Sequence, residues 1–189
     1  MTPPGAQGCI SPWGAILGGF MTAIILSLMP VGSKIRLLLG LVMPAVFATG
    51  MIVCGWAVFG IFSGVAILPW AMLYLLSLTC LAVTVGFMLL LGPVAMPIAI
   101  LLCTMLGMSS AGISAPVDMI SPPFFAAMHT WVFSAQGIQG VQESLYFEDA
   151  SLTGPPVLVM LAWLVGGVLL TVAGDRPPEA SPPVRHGHR

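Results

Sequence analysis

The stretch ISAPVDMISPPFFAAMHTWVFSAQGIQGVQESLYF, residues 113–147, differs in character from the sequence on either side of it. It carries Asp118, His129 and Glu143, and three prolines interrupt it. A segment of this kind is too polar and too interrupted to cross a bilayer as one helix, because unsatisfied backbone groups are costly in lipid. It is also more aromatic than an ordinary loop. The segment alone does not indicate a fold class, so the composition of the sequence on either side of it has to be considered.

The composition is that of an integral membrane protein. Of the 189 residues, 58% are hydrophobic and only 6% are charged, and the mean hydropathy is +1.07. Soluble domains carry about 25% charged residues, so this chain lacks the charge to cover a surface in water. The composition predicts an all-α integral membrane fold, with the lipid bilayer as its principal partner.

Uncharged blocks supply the predicted membrane spans. Residues 1–33, 37–117 and 150–174 contain no Asp, Glu, Lys or Arg. A spanning helix needs about 20 mostly apolar residues, and Gly and Pro signals divide the blocks. Five spans are predicted, at residues 12–32, 37–62, 65–91, 93–114 and 155–174. The predicted organisation is a short extracytoplasmic N-terminus (1–11), four transmembrane helices (12–114), an extracytoplasmic amphipathic hairpin (115–154), a fifth transmembrane helix (155–174) and a disordered cytoplasmic tail (175–189).

The basic residues predict the orientation. Lys34 and Arg36 lie between the first two predicted spans, and Arg176, Arg185 and Arg189 follow the last one. An odd number of spans places both groups on the same side of the membrane, and the positive-inside rule makes that side the cytoplasm. Lys34, Arg36 and Arg176 are thus the predicted topology determinants of a multi-pass plasma-membrane protein. Its N-terminus and residues 113–147 are expected outside.

An outer N-terminus raises a question of insertion, since no preceding segment in this sequence would carry it across the membrane. We expect either a subunit that inserts beside a partner or the C-terminal half of a larger protein.

Motifs for chemistry are few. The sequence has no phosphate-binding Gly-x-x-x-x-Gly-Lys-Ser/Thr loop and no nucleophile elbow, and its four cysteines form no C-x-x-C pair. It has no basic patch for nucleic acid. No charged residue lies within a predicted span, which argues against proton- or sodium-coupled transport. The prediction is a protein that is not an enzyme and has no cofactor, metal site or nucleic-acid partner. Catalysis would have to be built from Asp118, His129 and Glu143, which are expected to be solvated instead.

The segment at 113–147 can be interpreted in two ways. On helical spacing, His129, Gln136, Gln139 and Glu143 share one face, with apolar and aromatic residues opposite. Gly137 and Gly140 favour a bent or re-entrant pair over one unbroken helix. One interpretation is an amphipathic connector that rests on lipid; the other is a re-entrant hairpin that caps the outer end of a pathway. The candidate hairpin or pathway residues are Pro116, Asp118, Pro122, Phe124, Phe125, His129, Gln136, Gln139 and Glu143.

Two short motifs carry a resemblance to a known family. APVDMISPPFF (115–125) is followed by GIQGVQESLYF (137–147) and then by one last span. This resembles the C-terminal membrane region of YhgE/Pip (phage infection protein) relatives, within the type 2 ABC exporter permease group. In that group a Pro follows the penultimate span and another Pro precedes two bulky aromatics. Here the matching residues are Pro116, Pro122 or Pro123, Phe124 and Phe125.

The chain departs from the family pattern in two respects. Family members have an initial span and a large extracellular domain before the last five spans, whereas this sequence starts at the last five. The later helix often carries an Arg where this chain has Gln142 and Glu143. The first departure bears on whether the chain functions alone, and the second on any contact made by that Arg.

The resemblance implies a function as well as a fold. It implies an outer hairpin between the last two spans, a homo- or heterodimer, and a separate cytoplasmic ATPase that docks near Lys34 and Arg36 or near Gly92. The expected activity is outward export of an amphipathic or lipid-like substrate. The alternative is a non-transporting membrane scaffold or secretion-accessory subunit, because relatives of that kind also exist in the family.

Overall fold

The computed structural model of the chain describes residues 13–28, 33–59, 67–102, 130–146 and 154–174. Within these ranges every regular element is helical. The α-helices are α1 (Trp13–Leu28), α2 (Ser33–Phe59), α3 (Ile67–Leu91), α4 (Ala95–Ile100), α5 (Phe133–Tyr146) and α6 (Pro155–Gly174), and a 3-10 turn at Gly92–Val94 joins α3 to α4.

Three of the helices are long and apolar enough to cross a membrane. The qualifying segments are Ile35–Ala57 in α2, Ile67–Leu91 in α3 and Pro155–Gly174 in α6. They correspond to the second, third and fifth predicted spans. An all-helical fold with three candidate membrane spans is therefore confirmed, and it is consistent with a helical membrane protein. Helix α1 is apolar but has 16 residues. The fourth predicted span is described only at its start, since residues 103–114 lie outside the described part of the chain.

Proline and glycine set the ends of the two most regular spans. Helix α6 opens with Pro155 and Pro156, where a missing N–H costs no intrahelical hydrogen bond. Helix α3 ends at Leu91 and is followed by Gly92, whose φ of 62° is in the left-handed region. That conformation is favourable for glycine and is a common way for a helix to end. Pro93 follows directly and cannot extend the helix.

Helix α3 forms the centre of the described bundle. Over an 18-residue apolar window of each span, 56% of the residues are buried in α3, against 17% in α2 and 17% in α6. Leu73, Leu76 and Val83 of α3 are fully or almost fully buried. They belong to one apolar cluster with residues such as Ile16 of α1 and Met160 of α6. The remaining long helices therefore pack around α3, and their outer faces are available to lipid or to a partner.

The relative directions of the helices follow from their contacts. Thr79 of α3 donates to the Met160 carbonyl at 3.4 Å, and a Cβ on Gly174 would lie 2.7 Å from the Cβ of Leu89. Later residues of α3 thus contact later residues of α6, so the two helices are parallel. The end of α3 and the start of α6 therefore lie at opposite ends of the bundle.

Helix α2 runs in the opposite direction to α3. Trp70 Nε1 near the start of α3 donates to Thr49 Oγ1 at 3.0 Å, while Gly40, earlier in α2, faces Leu81, later in α3. Earlier residues of α2 thus contact later residues of α3, so the two helices are antiparallel. This alternation is the one expected of consecutive spans joined by short connections.

Close backbone approach holds α3 against α6. A Cβ atom added to Gly167 would lie 2.7 Å from the Ala82 carbonyl carbon and 2.8 Å from the Val83 amide nitrogen. A Cβ on Gly86 would lie 2.8 Å from the Gly167 carbonyl oxygen. Small residues permit such contact between membrane helices, where packing rather than water exclusion drives association.

The bundle has two chemically different ends. Arg36 and Leu89 line the same pocket, and Gly174 also lies against Leu89. Helix α5 instead packs at Leu76, thirteen residues earlier in α3, or about 20 Å along the helix axis. Arg36 and the end of α6 thus share one end and α5 lies toward the other. The positive-inside assignment of the first end to the cytoplasm stays a prediction.

Candidate functional site

Helix α5 is wedged against the early turns of α3 and α6. The Cα of Gly137 faces the Leu76 side chain so closely that a Cβ would overlap it. A Cβ on Gly140 would lie 3.4 Å from Met72 Sδ and 3.5 Å from Pro156 Cβ. Two glycines one turn apart thus form the contact face of α5.

The start of α5 lies deeper in the bundle than its middle. The rings of Phe133 and Trp163 are 5.6 Å apart and tilted, and Trp163 Nε1 donates to the Trp131 carbonyl at 2.7 Å. Trp163 lies seven residues beyond Pro156, or about 10 Å further along α6. Because Gly140 is near Pro156 and Phe133 is near Trp163, α5 runs antiparallel to α6 and is inserted beside it.

The structure differs from the sequence-based expectation of a break at the two glycines. Helix α5 is continuous from Phe133 to Tyr146 and passes through both Gly137 and Gly140. A glycine in a helix interior costs about 1 kcal/mol relative to alanine in propensity. Here that cost is offset by close contact with Leu76 and Met72, which a larger residue would prevent.

The polar residues of α5 are divided between two environments. Gln136 is only 6% exposed, and it interacts with its surroundings within the bundle. Gln139 and Glu143 are partly buried, and Gln139 Nε2 donates to Glu143 Oε1 at 2.7 Å. Ile138 is buried in the core, whereas Trp131 is 71% exposed. Of the candidate residues, the structure brings together Gln139 and Glu143.

The other candidate residues fall on parts of the chain that are not described. Among the predicted topology determinants, the structure places the side chain of Arg36. The positions outside the described residues are Pro116, Asp118, Pro122, Phe124, Phe125, His129 and Arg176, together with the side chain of Lys34.

Trp163 is the contact residue that the sequence interpretation missed. In an apolar span, a tryptophan can face lipid as readily as another helix. The sequence pattern therefore does not distinguish a contact residue from a lipid-facing one. The available signal is chemical, because an indole N–H away from water needs a hydrogen-bond acceptor. The carbonyl of Trp131 supplies one, and this bond ties α6 to the residue pair that precedes α5.

Among the described residues, no group of three or more His, Cys, Asp or Glu side chains could hold a metal ion. Cys54 is exposed, and Cys80 is buried with its thiol donating to the Ile16 carbonyl at 3.5 Å. Among the described residues, this end of the bundle therefore combines helix packing with the Trp163–Trp131 hydrogen bond and with polar contacts of Gln136, Gln139 and Glu143.

Fold and site together are those of a helical membrane protein, with three candidate spans and a short helix packed against two of them. No protein-family model, curated protein or solved structure matches the chain. The resemblance to YhgE/Pip relatives thus rests on the sequence motifs alone.

Proposed function

We propose that the chain is a permease-type membrane subunit of an ABC exporter, of the YhgE/Pip kind, that moves an amphipathic or lipid-like substrate outward across the plasma membrane. The observation that carries the proposal is the position of α5. It is inserted beside α3 and α6 at the end of the bundle away from Arg36. A helix in this position suits a re-entrant hairpin at the outer end of a path better than a connector lying flat on lipid.

The directions of α3 and α6 support five spans rather than three. The end of α3 and the start of α6 lie at opposite ends of the bundle, so residues 92–154 return the chain from one end to the other. A fourth span at about 93–114 accomplishes this, and α4 begins within it. With α1 counted as the first span, the proposed number of spans is five.

A path for substrate is proposed between subunits rather than through one of them. Helices α3 and α6 touch backbone to backbone at Gly86 and Gly167, which leaves no room for substrate between them. The outer faces of α2 and α6 carry large exposed apolar side chains, including Leu38, Val46 and Leu169. A homo- or heterodimer would enclose a path between such faces, and a separate cytoplasmic ATPase would drive it.

The same close packing favours one alternative, a non-transporting scaffold or secretion-accessory subunit, or the C-terminal half of a larger YhgE/Pip-like protein. A tightly packed bundle without a charged side chain in the described middle of its spans is well suited to hold partners. On this alternative, the exposed faces of α2 and α6 are interfaces and α5 is a structural plug.

Co-purification distinguishes the two functions. The tagged full chain is extracted from its native membrane in a mild detergent, and the co-purifying proteins are identified and quantified by mass spectrometry. A stoichiometric ATPase with a phosphate-binding loop is the expected result for an exporter subunit. Recovery with secretion components, or with no partner, would contradict the exporter proposal and favour the scaffold.

A further inference from the structure

A small pocket lies at the Arg36 end of the bundle, where three helices meet. Its volume is about 110 Å³. The last turn of α1 contributes Leu26 and Ser27, the first turn of α2 contributes Arg36, and the late part of α3 contributes the remaining wall. The lining residues are Leu26, Ser27, Arg36, Val85, Met88 and Leu89.

Arg36 brings a positively charged side chain to this pocket, and among the described residues no carboxylate lies beside it. Its Nε atom is buried and has no hydrogen-bond partner among the described residues. Glu143 is the one carboxylate among the described residues, and it belongs to α5 near the opposite end of the bundle. Arginine stays protonated in proteins, and a buried donor without an acceptor is costly. A negatively charged acceptor in the pocket would satisfy this donor and balance the charge of Arg36.

The backbone adds to the same electrostatic preference. Helix α2 begins at Ser33 and continues for 27 residues, so Arg36 lies in its first turn. The first N–H groups of a helix have no intrahelical acceptor, and the helix dipole makes that end positive. A guanidinium beside a helix start is a favourable site for phosphate, which it can bind through two parallel hydrogen bonds.

The walls of the pocket indicate where the phosphate comes from. Leu26, Val85 and Leu89 are apolar, and Arg36 stands one residue past the start of the apolar segment Ile35–Ala57. This is the level at which a span meets the lipid headgroups. Basic pockets between membrane helices are known to hold lipid headgroups. We propose that the pocket binds the phosphate of an anionic membrane phospholipid, with Arg36 as its main ligand.

Native mass spectrometry of the full chain in a non-ionic detergent tests this. The chain is exchanged into micelles that contain phosphatidylglycerol, the zwitterionic phosphatidylcholine, or inorganic phosphate without added lipid. The wild type is expected to retain one phosphatidylglycerol in preference to phosphatidylcholine. Arg36→Gln should lower that retention about tenfold, the size expected for loss of charge-assisted hydrogen bonds. Arg36→Lys should lie between the two, because lysine keeps the charge but not the planar fork.

Two further variants separate a pocket from a general effect of charge. Arg185→Gln removes one positive charge from the C-terminal segment and should leave lipid retention unchanged. Ser27→Phe keeps Arg36 but fills the pocket, and it should lower retention as Arg36→Gln does. Circular dichroism and gel filtration verify that each variant is folded.

Three results would overturn the proposal. One is equal retention of phosphatidylglycerol by the wild type and folded Arg36→Gln. Another is equal retention of the two lipids by the wild type. The third is binding of inorganic phosphate with no lipid retained, which would assign the pocket to a free anion.

Discussion

At the scale of single residues, two adjacent glycines in α6 have opposite surroundings. A Cβ on Gly167 would press against the backbone of Ala82 and Val83, which cannot move away, whereas one on Gly166 would meet nothing within 4 Å. Gly167→Ala is expected to lower the free energy of unfolding by about 1–3 kcal/mol, as overpacking does. Gly166→Ala should leave it unchanged or raise it slightly, because alanine has the higher helix propensity. Thermal unfolding in detergent, followed by circular dichroism, measures both.

Equal effects of these two variants would contradict the parallel α3–α6 contact. The comparison is well controlled, because both changes add one methyl group to neighbouring positions of the same helix. A general sensitivity of α6 to added volume would affect the two variants alike, whereas the packing described here affects one of them.

Two threonine hydroxyls in different helices provide a second comparison between single residues. Thr49 Oγ1 accepts from Trp70 Nε1 at 3.0 Å and so joins α2 to α3, while Thr171 Oγ1 donates only within its own helix, to Gly167 O at 2.8 Å. Thr49→Val is expected to destabilise the chain by about 0.6 kcal/mol, the average for hydrogen bonds between membrane helices. Thr171→Val should have a smaller effect. Urea or SDS titration followed by tryptophan fluorescence compares them, and an equal loss in both would assign no role to the bond between helices.

At the scale of helices, charge and apolar length predicted three helices that are long and apolar enough to span a membrane. Predicted spans 65–91 and 155–174 correspond to Ile67–Leu91 and Pro155–Gly174, because Gly and Pro signals lie at their ends. Span 37–62 began too late, since α2 starts at Ser33 and includes Arg36 in its first turn. A charged residue marks the end of the apolar run but does not end a helix, and its long side chain can extend toward the headgroups.

The continuity and burial of α5 could not be predicted in the same way. Local propensity at Gly137 and Gly140 favours a break, and the polar face containing Gln136 is typical of a helix exposed to water. Both features depend on contacts with residues far away in the sequence, Leu76 and Met72 in α3 and Pro156 in α6. A single sequence does not contain that information, since periodicity describes one helix and not the partner it packs against.

Helix α5 offers an element-scale prediction through its link to α6. Trp163→Phe removes the N–H that reaches the Trp131 carbonyl but keeps an aromatic ring beside Phe133. Loss of one such bond costs about 1 kcal/mol. The population of molecules in which α5 is locally open should therefore increase, while α3 stays folded. Hydrogen–deuterium exchange with mass spectrometry is expected to show faster exchange in residues 133–146 and unchanged exchange in 67–91.

Trp56→Phe is the matched control for this experiment. Trp56 lies on α2 and is 64% exposed, so its replacement should leave exchange in α5 unaffected. Faster exchange across all helices in the Trp163 variant would show instead that Trp163 supports the whole bundle. Unchanged exchange in α5 would show that the bond to Trp131 contributes nothing to its position.

At the scale of the whole molecule, the asymmetry between the two ends links the fold to both proposals. Arg36 and the last residues of α6 share one end, where an ATPase would dock and an anionic headgroup would bind. Helix α5 lies toward the other end with Gln139 and Glu143, where the outer end of an export path would be. The two ends have these roles only if the Arg36 end faces the cytoplasm, as the positive-inside rule predicts.

Cysteine labelling in intact cells tests that orientation. All four native cysteines, Cys9, Cys54, Cys80 and Cys103, are replaced by alanine, and a single cysteine is introduced at Gln142, which is exposed on α5, or at Gly187. A membrane-impermeant maleimide added outside is expected to label the Gln142→Cys chain, and to label the Gly187→Cys chain only after the membrane is opened. The reverse pattern would invert the topology, and the headgroup site and the outer hairpin would exchange sides. Labelling of both positions from outside would mean that α6 does not cross the membrane, and the exporter proposal would then lose its last span.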